Sequence, residues 1–178
     1  MSTTLPTFKY HPDPFATGVL KRGRAACACC GQKRGYVYTG PIYAIDEVAP
    51  VCPWCVADGG VERRFAARFN DDHQLRAAGL SEQIVREVAC RTPGFFALQQ
   101  VQWLACCNDA CEYRGIIPLA EFRRLDAEDW APVAERSYWP LRMLQDFLNC
   151  DEPDIGVEFH RFVCRHCSKA HFDMSYIS

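Results

Sequence analysis

The sequence predicts an α+β protein, because strand-like and helix-like patterns occupy different stretches of its 178 residues. Residues 36–45 and 157–176 are rich in β-branched and aromatic side chains, whereas apolar residues recur at helical spacing over residues 81–88 and 119–148. Hydrophobic residues make up 49% of the chain, which is enough to build a packed core. We therefore expect one compact unit in which small mixed β elements pack with several helices.

The first half of the chain predicts a β element followed by two helices. Residues 36–45 read as two short strands that turn at Gly40 and Pro41. One helix is predicted over residues 61–69, and a second begins at Ser81 as N-cap and stops before Pro93. Residues 95–104 contain strand-forming side chains with poor alternation, and we predict a strand there.

The second half turns helical after Pro118 and returns to β structure at its end. Trp139, Met143 and Phe147 recur four residues apart, which is typical of an amphipathic helix. Residues 157–163 predict a half-buried strand, and residues 171–176 are expected to pair with it. The β pairing at the end of the chain would bring Cys164 and Cys167 into the turn between the two strands.

Composition excludes some classes of protein and indicates a compartment. No apolar run approaches the ~20 residues of a membrane-spanning helix. The N-terminus shows no positively charged stretch followed by an apolar segment, so we expect no secretory signal and a cytoplasmic location. In a reducing compartment, the twelve cysteines are expected to hold metal rather than to form disulfides.

The first cysteine constellation has the spacing of a zinc site. Two C-x2-C pairs are separated by 21 residues, and two residues between thiolates let a tight turn aim both sulfurs at one ion. The expected ligands are Cys27, Cys30, Cys52 and Cys55. The alternative is that Cys52 and Cys55, which bracket Pro53 and Trp54, act as a thiol redox or metal-sensing pair.

The second constellation predicts another zinc site with a longer separation. The spacing favours Cys107 over Cys106 as a ligand, because Cys107-x3-Cys111 falls within the usual range of two to four intervening residues. The expected ligands are Cys107, Cys111, Cys164 and Cys167, with His166 as an outside candidate. Four cysteines are left over, and a buried role is the default for Cys90 and Cys150. The leftover cysteines are Cys29, Cys90, Cys106 and Cys150.

The two constellations suggest a division of the single domain, residues 1–178, into two sub-lobes. Residues 1–78 would form a lobe similar to a zinc ribbon, and residues 79–178 a helical insertion with the second site. We identify no catalytic residues and no organic cofactor site, since the histidines form no HExxH motif and no P-loop or GxSxG pattern occurs. We therefore expect no enzyme activity.

Charge is distributed unevenly along the chain, and this distribution indicates the kind of partner that the protein binds. Residues 1–35 carry a net charge of +5 and residues 126–158 a net charge of −7, in a chain of −2 overall. Each four-thiolate zinc site would add a further −2, which disfavours general affinity for nucleic acid. The acidic segment instead suggests a protein partner with a basic surface.

Several motifs together resemble the CbrC family, named for a bacterial colicin tolerance protein, over the whole chain. The resemblance implies cysteine-pair sites, a bacterial source and a link to colicin tolerance. That tolerance would arise either directly, with a basic toxin as the candidate partner, or indirectly through regulation or the cell envelope. The motifs are Phe8-Lys-Tyr-His-Pro-Asp-Pro14 with Thr17-Gly18, Cys27-x-Cys-Cys-Gly31, Tyr38-x-Gly-Pro-x-Tyr43, Cys52-Pro-Trp-Cys-x-Ala-Asp-Gly59, Phe69-x-Asp-Asp72, Cys107-x3-Cys111 and Cys164-x2-Cys167.

Overall fold

A computed structural model describes residues 4–99, 101–150 and 156–177, and it confirms the α+β class. Over those residues the helices are α1 (Pro53–Ala57), α2 (Gly60–Phe65), α3 (His73–Ala77), α4 (Glu82–Arg91), α5 (Leu119–Phe122), α6 (Ala127–Arg136) and α7 (Leu141–Asn149). The strands are β1 (Leu20–Arg22), β2 (Tyr36–Tyr38), β3 (Ala105–Cys106), β4 (Asp109–Ala110), β5 (Glu112–Ile117), β6 (Val157–Val163) and β7 (Ala170–Tyr176). All strand pairs are antiparallel, in the orders β1-β2, β3-β4 and β5-β6-β7.

The N-terminal lobe is built around the β1-β2 ribbon and helices α1 and α2. Its core contains Val19, Tyr38, Val56 and Phe69, together with three of the cysteines. The ribbon is only three residue pairs long, and the Tyr38 N–H extends the pairing by donating to Val51 O at 2.8 Å. So short a ribbon buries little surface by itself, and its position depends on the core beneath it.

Helix α4 begins and ends where the sequence predicts. The Ser81 hydroxyl accepts a hydrogen bond from the Ile84 N–H at 3.4 Å, and the helix ends at Arg91, two residues before Pro93. Val85 and Val88 are buried in a second core cluster with Trp103 and residues of β4 to β6. On another face, the Phe69 N–H donates to Ala89 O at 2.7 Å, so α4 contacts both lobes.

Strand β6 is the central strand of the C-terminal sheet and is buried on both faces. Phe159 packs in the third core cluster with α5, α6 and α7, whereas Phe162 points the opposite way into the second cluster. The alternation that predicted a polar face is interrupted because His160 and Phe162 are fully buried. The predicted pairing with the last strand is confirmed, from Val157 opposite Tyr176 to Val163 opposite Ala170.

Helices α6 and α7 cover one face of this sheet. The Arg136 guanidinium donates to Phe172 O and lies 3.4 Å from the Asp173 carboxylate on β7. Asp173 is almost fully buried, and burial raises the pKa of its carboxyl. The helical structure predicted after Pro118 is confirmed by α5, α6 and α7. The contacts of Arg136 attach α6 to the sheet.

Three local predictions are wrong. Residues 39–45 form no second strand, since Tyr43 makes only an isolated bridge to Arg68. The helix predicted to reach residue 69 ends at Phe65, because Ala66 adopts a left-handed conformation with φ of 50°. The described part of residues 95–104 is irregular, and Phe95 stacks on Tyr113 at 3.8 Å instead of joining a sheet.

No helix in the described part of the chain is long and apolar enough to cross a membrane. The division into sub-lobes near residue 79 stays a prediction.

Two buried histidines are held neutral by the fold. His11 Nδ1 lies 2.8 Å from Pro93 O and its Nε2 lies 2.7 Å from Thr17 Oγ1. His160 lies between Tyr113 and Ser175, with Nε2 2.9 Å from the serine hydroxyl. Burial lowers the pKa of each imidazole to about 4.

These histidines predict that the folded state loses stability as pH falls from 6.5 toward 4. The unfolded chain, with histidine pKa near 6.5, binds protons in this range that the folded state does not. The loss should reach up to about 1.4 kcal/mol per histidine per pH unit. Urea unfolding of metal-saturated protein from pH 7.5 to 5.0 measures it, and His160→Gln should flatten the dependence.

The matched control is His73→Gln, at a side chain exposed on α3 in the folded protein. It should leave the pH dependence of the unfolding free energy as in the wild type. If the unfolding free energy of His160→Gln falls with pH as steeply as that of the wild type, the prediction is contradicted.

Candidate metal centres

Four cysteine sulfurs converge at one point in the N-terminal lobe. The Sγ atoms of Cys27, Cys30, Cys52 and Cys55 all lie within 4.8 Å of one another. The distance from Cys30 Sγ to Cys52 Sγ is 3.9 Å. A ZnS₄ tetrahedron with Zn–S of about 2.3 Å has edges of about 3.8 Å, so the sulfur separation fits such an ion. We call these residues group 1, and they are the four that the sequence spacing predicts to share an ion.

Each arm of group 1 is shaped by a backbone turn. The Cys27 N–H donates to Gln32 O at 3.0 Å and the Gly31 N–H to Cys27 O at 2.7 Å, which folds the first pair into a knuckle. Gly31 has φ of 72°, a conformation that glycine adopts without a steric penalty. The second arm is the start of α1, where Cys52 is the N-cap and Pro53 occupies the first helical position. The Ala28 N–H donates to Pro50 O at 2.8 Å and joins the two arms.

The environment of group 1 favours a thiolate at one sulfur and opposes it at others. Burial would raise the pKa of Cys27, but backbone N–H groups of Cys30, Cys52 and Cys29 lower it overall. Burial raises the pKa of the Cys52 thiol to about 11 and raises that of Cys55 as well. A divalent cation among the sulfurs would favour the deprotonated form of all four.

A second group of sulfurs lies between the β3-β4 hairpin and the turn that joins β6 to β7. Its members are Cys106, Cys107, Cys164 and Cys167, again within 4.8 Å of one another. The sulfur of Cys106 lies 3.7 Å from that of Cys107 and 3.8 Å from that of Cys167. These separations also match the edge of a ZnS₄ tetrahedron. We call this set group 2.

The first arm of group 2 is a tight hairpin turn. Cys106 pairs with Asp109, and the two residues between them, Cys107 and Asn108, have φ of 51° and 56°. Two consecutive positive φ values are those of a type I′ turn, which favours asparagine or glycine. A cysteine in this conformation is uncommon, and here the turn brings the sulfurs of two adjacent cysteines close together.

The second arm of group 2 repeats the knuckle of group 1. The Cys164 N–H donates to Lys169 O at 2.9 Å and the Ser168 N–H to Cys164 O at 3.1 Å, as Cys27 and Gly31 do in the first knuckle. Ser168 has φ of 61°, in the place that Gly31 occupies. Backbone N–H groups of Cys167 and His166 lower the pKa of Cys164 to about 6, against the opposing effect of burial.

Asp109 connects the two arms of group 2. Its buried carboxylate accepts hydrogen bonds from the Tyr10 hydroxyl at 2.6 Å and from Arg165 Nη1 at 3.1 Å, and it lies 3.1 Å from His166 Nε2. Burial would raise the pKa of Asp109, but the hydrogen bonds from Tyr10 and His166 lower it overall. Because His166 is directed at this carboxylate, it positions the knuckle and does not join the sulfurs.

The predicted ligand set pairs Cys107 with Cys111, whereas in the structure the sulfur that joins those of Cys107, Cys164 and Cys167 belongs to Cys106. Cys111 is fully buried in the second core cluster, where its carbonyl accepts a hydrogen bond from Trp103 Nε1 at 2.9 Å. The Cys107-x3-Cys111 spacing favours these two cysteines as one ligand pair, but the chain turns at Cys107 and Asn108 and brings Cys106 to the sulfurs instead. The asparagine in a two-residue loop is the signal that would have identified the hairpin.

The remaining cysteines lie outside both groups. Cys29 packs beside group 1, and a Cβ at Gly60 would lie 3.1 Å from its sulfur, so glycine leaves room for it. Cys90 is buried as predicted, and burial raises the pKa of its thiol to about 11. Cys150 is exposed after α7, contrary to the expected buried role.

The donor sets fit a soft divalent cation. Thiolates select zinc and related ions, and four of them complete a tetrahedron with no open position for water. Within the described ranges, groups 1 and 2 are the two places where three or more His, Cys, Asp or Glu ligand atoms converge. Each group can therefore hold one metal ion.

Comparison with known proteins places the chain among bacterial relatives. The family model of UPF0167, described as an uncharacterised protein family, matches residues 5–176. The chain is 42% identical over 178 residues to the UPF0167 protein PA1536 of Pseudomonas aeruginosa, covering 99% of both chains. It is 41% identical to the UPF0167 protein Mb2317 of Mycobacterium bovis, covering 92% of this chain and 89% of the relative. No solved structure matches the chain.

These matches correct the resemblance drawn from the motifs. The family that matches nearly the whole chain is UPF0167, and the identification as a member of the CbrC family is wrong. The toxin partner and the role in colicin tolerance followed from that resemblance, and they lose their support with it.

The membership of group 2 predicts different effects of two cysteine substitutions. Cys106→Ala removes a sulfur that converges with three others, so bound metal should fall from about two ions per chain to about one. Cys111→Ala should leave the metal content near two ions, because Cys111 lies outside the group. Elemental analysis of the purified proteins measures the content, and Cys29→Ala serves as the control at group 1. Loss of metal from Cys111→Ala alone would contradict the structure.

Proposed function

We propose that this chain, which belongs to the UPF0167 family, is a zinc-binding protein-interaction module whose two four-cysteine groups are structural. The observation that carries the proposal is the convergence of four sulfurs in each group, where all of them lie within 4.8 Å of one another. Zinc is the ion that such a set most often binds in proteins. The site residues are then Cys27, Cys30, Cys52 and Cys55 for one ion, and Cys106, Cys107, Cys164 and Cys167 for the other.

Zinc would contribute directly to folding in this protein. Cys27, Cys52 and Cys55 are buried in the N-terminal core, so their sulfurs occupy positions where other proteins place apolar side chains. Structural zinc binds with an apparent free energy of ~10–16 kcal/mol, which matches or exceeds the net stability of ~5–15 kcal/mol of an ordinary domain. A filled tetrahedron provides no position for a substrate or water, so the function does not rest on metal catalysis.

The redox or metal-sensing alternative has less support. Cys52 and Cys55 are 1% and 6% exposed, so an oxidant or a partner thiol has little access to them. Both sulfurs also lie within 4.8 Å of Cys27 and Cys30, which is the arrangement of a shared ion and not of an isolated pair. The zinc experiment below separates the two functions.

A basic protein surface is the partner that the C-terminal lobe fits best. Residues 101–178 carry a net charge of −5, and several exposed carboxylates lie on α6 and α7. Glu128 and Glu135 form no ion pair within the described part of the chain, whereas Asp126 caps α6 by accepting from the Glu128 N–H. Residues 151–155 of the acidic segment lie outside the described residues.

Protein purified under reducing conditions should contain about two zinc ions per chain, and a strong chelator should unfold the N-terminal lobe. The reason is that group 1 forms part of that core. Elemental analysis gives the zinc content, and far-UV circular dichroism with thiol titration follows the chelation. Metal-free protein that stays folded with a reversible Cys52–Cys55 disulfide would contradict the proposal and support the redox alternative.

Reversing charge on α6 should weaken capture of a basic protein. The double variant Glu128→Lys/Glu135→Lys reverses two exposed carboxylates without touching either cysteine group. Immobilised protein is exposed to a bacterial lysate at rising salt, and captured proteins are identified by mass spectrometry. We expect recovery of the basic partner to fall several-fold with the variant and with added salt.

The matched control for this experiment is Asp46→Lys/Glu47→Lys, which makes the same change in charge on an exposed loop of the N-terminal lobe. Equal capture of the basic partner by the wild type and both variants would contradict the prediction that the α6 surface binds it.

A further inference from the structure

We propose that one face of the N-terminal lobe binds single-stranded nucleic acid. This face, which we call the ribbon face, combines three arginines with a row of three aromatic rings beside group 1. Binding of nucleic acid at this face is separate from the proposed protein-interaction role, which uses the acidic C-terminal lobe. The ribbon face consists of Arg22, Arg24, Arg34, Phe15, Tyr36 and Trp54.

The β1-β2 pairing places one arginine beside the aromatic rings. Arg22 lies directly opposite Tyr36, and cross-strand partners share one face of a ribbon. The Gly23 N–H donates to Gly35 O at 3.1 Å just beyond the strand ends, and Arg24 and Arg34 directly flank this backbone contact.

The aromatic rings form a row next to the arginines. The Phe15 and Tyr36 ring centroids are 5.6 Å apart, and those of Tyr36 and Trp54 are 6.3 Å apart. The Arg34 guanidinium lies 5.0 Å from the Trp54 ring centroid. Phe15 is 40% exposed, and Tyr36 and Trp54 are half-buried, so the row is open to solvent along part of its length.

The arginines at the open edge are available to a ligand. Arg22 and Arg24 are exposed and, within the described residues, neither has an ion-pair or hydrogen-bond partner. Most other arginines in the described part of residues 1–99 are paired, for example Arg86 with Glu62 and Arg76 with Asp72. Lys21 and Lys33, both exposed, add further positive charge close to the ribbon.

This combination of groups fits a single strand better than a duplex or an acidic peptide. Phosphates pair with arginine, and unstacked bases stack on aromatic rings with little dependence on sequence. A duplex hides the faces of its bases, and the one helical residue of the ribbon face, Trp54, lies on α1, which is only five residues long. An acidic peptide would use the arginines but leave the aromatic row without a role.

The negative charge of the whole chain does not oppose this interaction. The net charge of −2 disfavours nucleic acid as a partner of the chain taken as a whole, but residues 1–99 carry +3 and residues 101–178 carry −5. A zinc ion with four thiolates would add −2 at group 1, and the three arginines and two nearby lysines still leave the local balance positive. Charges on the acidic lobe are screened beyond about 10 Å at 0.1 M salt.

The test is fluorescence anisotropy of labelled dT20 and U20 with metal-loaded protein in 50 to 300 mM KCl. Three phosphate contacts to a single strand predict a slope of log K against log salt of about −2. Arg22→Gln/Arg24→Gln should reduce the slope to about −0.7. Phe15→Leu should weaken binding by roughly 5- to 100-fold and leave the slope unchanged, because it removes stacking and no charge. Comparison of the two oligonucleotides shows whether the strand is DNA or RNA.

The matched control is Arg124→Gln/Arg142→Gln, which removes the same charge from exposed positions on the C-terminal lobe and should bind as the wild type does. Zinc content and circular dichroism equal to those of the wild type establish that each variant is folded. Three results would overturn the proposal: no saturable binding at 50 mM KCl, equal losses in both double variants, or binding of a polyglutamate peptide or duplex DNA as tight as that of dT20.

Discussion

The convergence of four sulfur atoms is the constraint on which the N-terminal lobe depends. The β1-β2 ribbon is three residue pairs long and α1 and α2 are five and six residues long, too short to be stable alone. Their cores meet around Cys27, Cys52 and Cys55, which are buried among apolar side chains. Without a bound cation these positions would hold thiols that pack no better than small apolar groups. The short elements keep their places because their ends deliver sulfurs to one point.

The same knuckle occurs twice in unrelated surroundings. In each, the first cysteine N–H donates to the carbonyl five residues ahead, and the residue after the second cysteine is left-handed. The arms opposite the knuckles differ, since group 1 uses the start of a helix and group 2 a two-residue hairpin. Asp109 then fastens that hairpin to its knuckle through Arg165 and His166. Group 2 therefore relies on polar contacts where group 1 relies on apolar burial.

Features that depend on neighbouring residues could be predicted from the sequence, whereas features that depend on tertiary contacts could not. Ser81 and Pro93 bound α4 because capping and proline act over a few residues, and two short spacings brought Cys27 and Cys52 to one centre. The position of Cys111 is decided by its burial beneath Trp103, a contact that spacing does not contain. Phe95 is of a type that favours strands, but in the structure it stacks on Tyr113 outside any sheet. His160 falls on the predicted polar face of β6, but it is buried because both faces of that strand are covered. Tertiary packing overrides local preference at each of these positions.

The chain order of the two groups has a consequence during synthesis. Group 1 is complete once Cys55 has left the ribosome, whereas Cys106 and Cys107 must wait for Cys164 and Cys167. At translation rates of roughly 5–20 residues per second, that wait lasts about 3 to 12 seconds. During this interval two adjacent thiols are present without their partners, open to oxidation or to capture of a metal by two ligands alone. The N-terminal lobe can mature on the ribosome, while the C-terminal lobe closes only once Cys164 and Cys167 have been made.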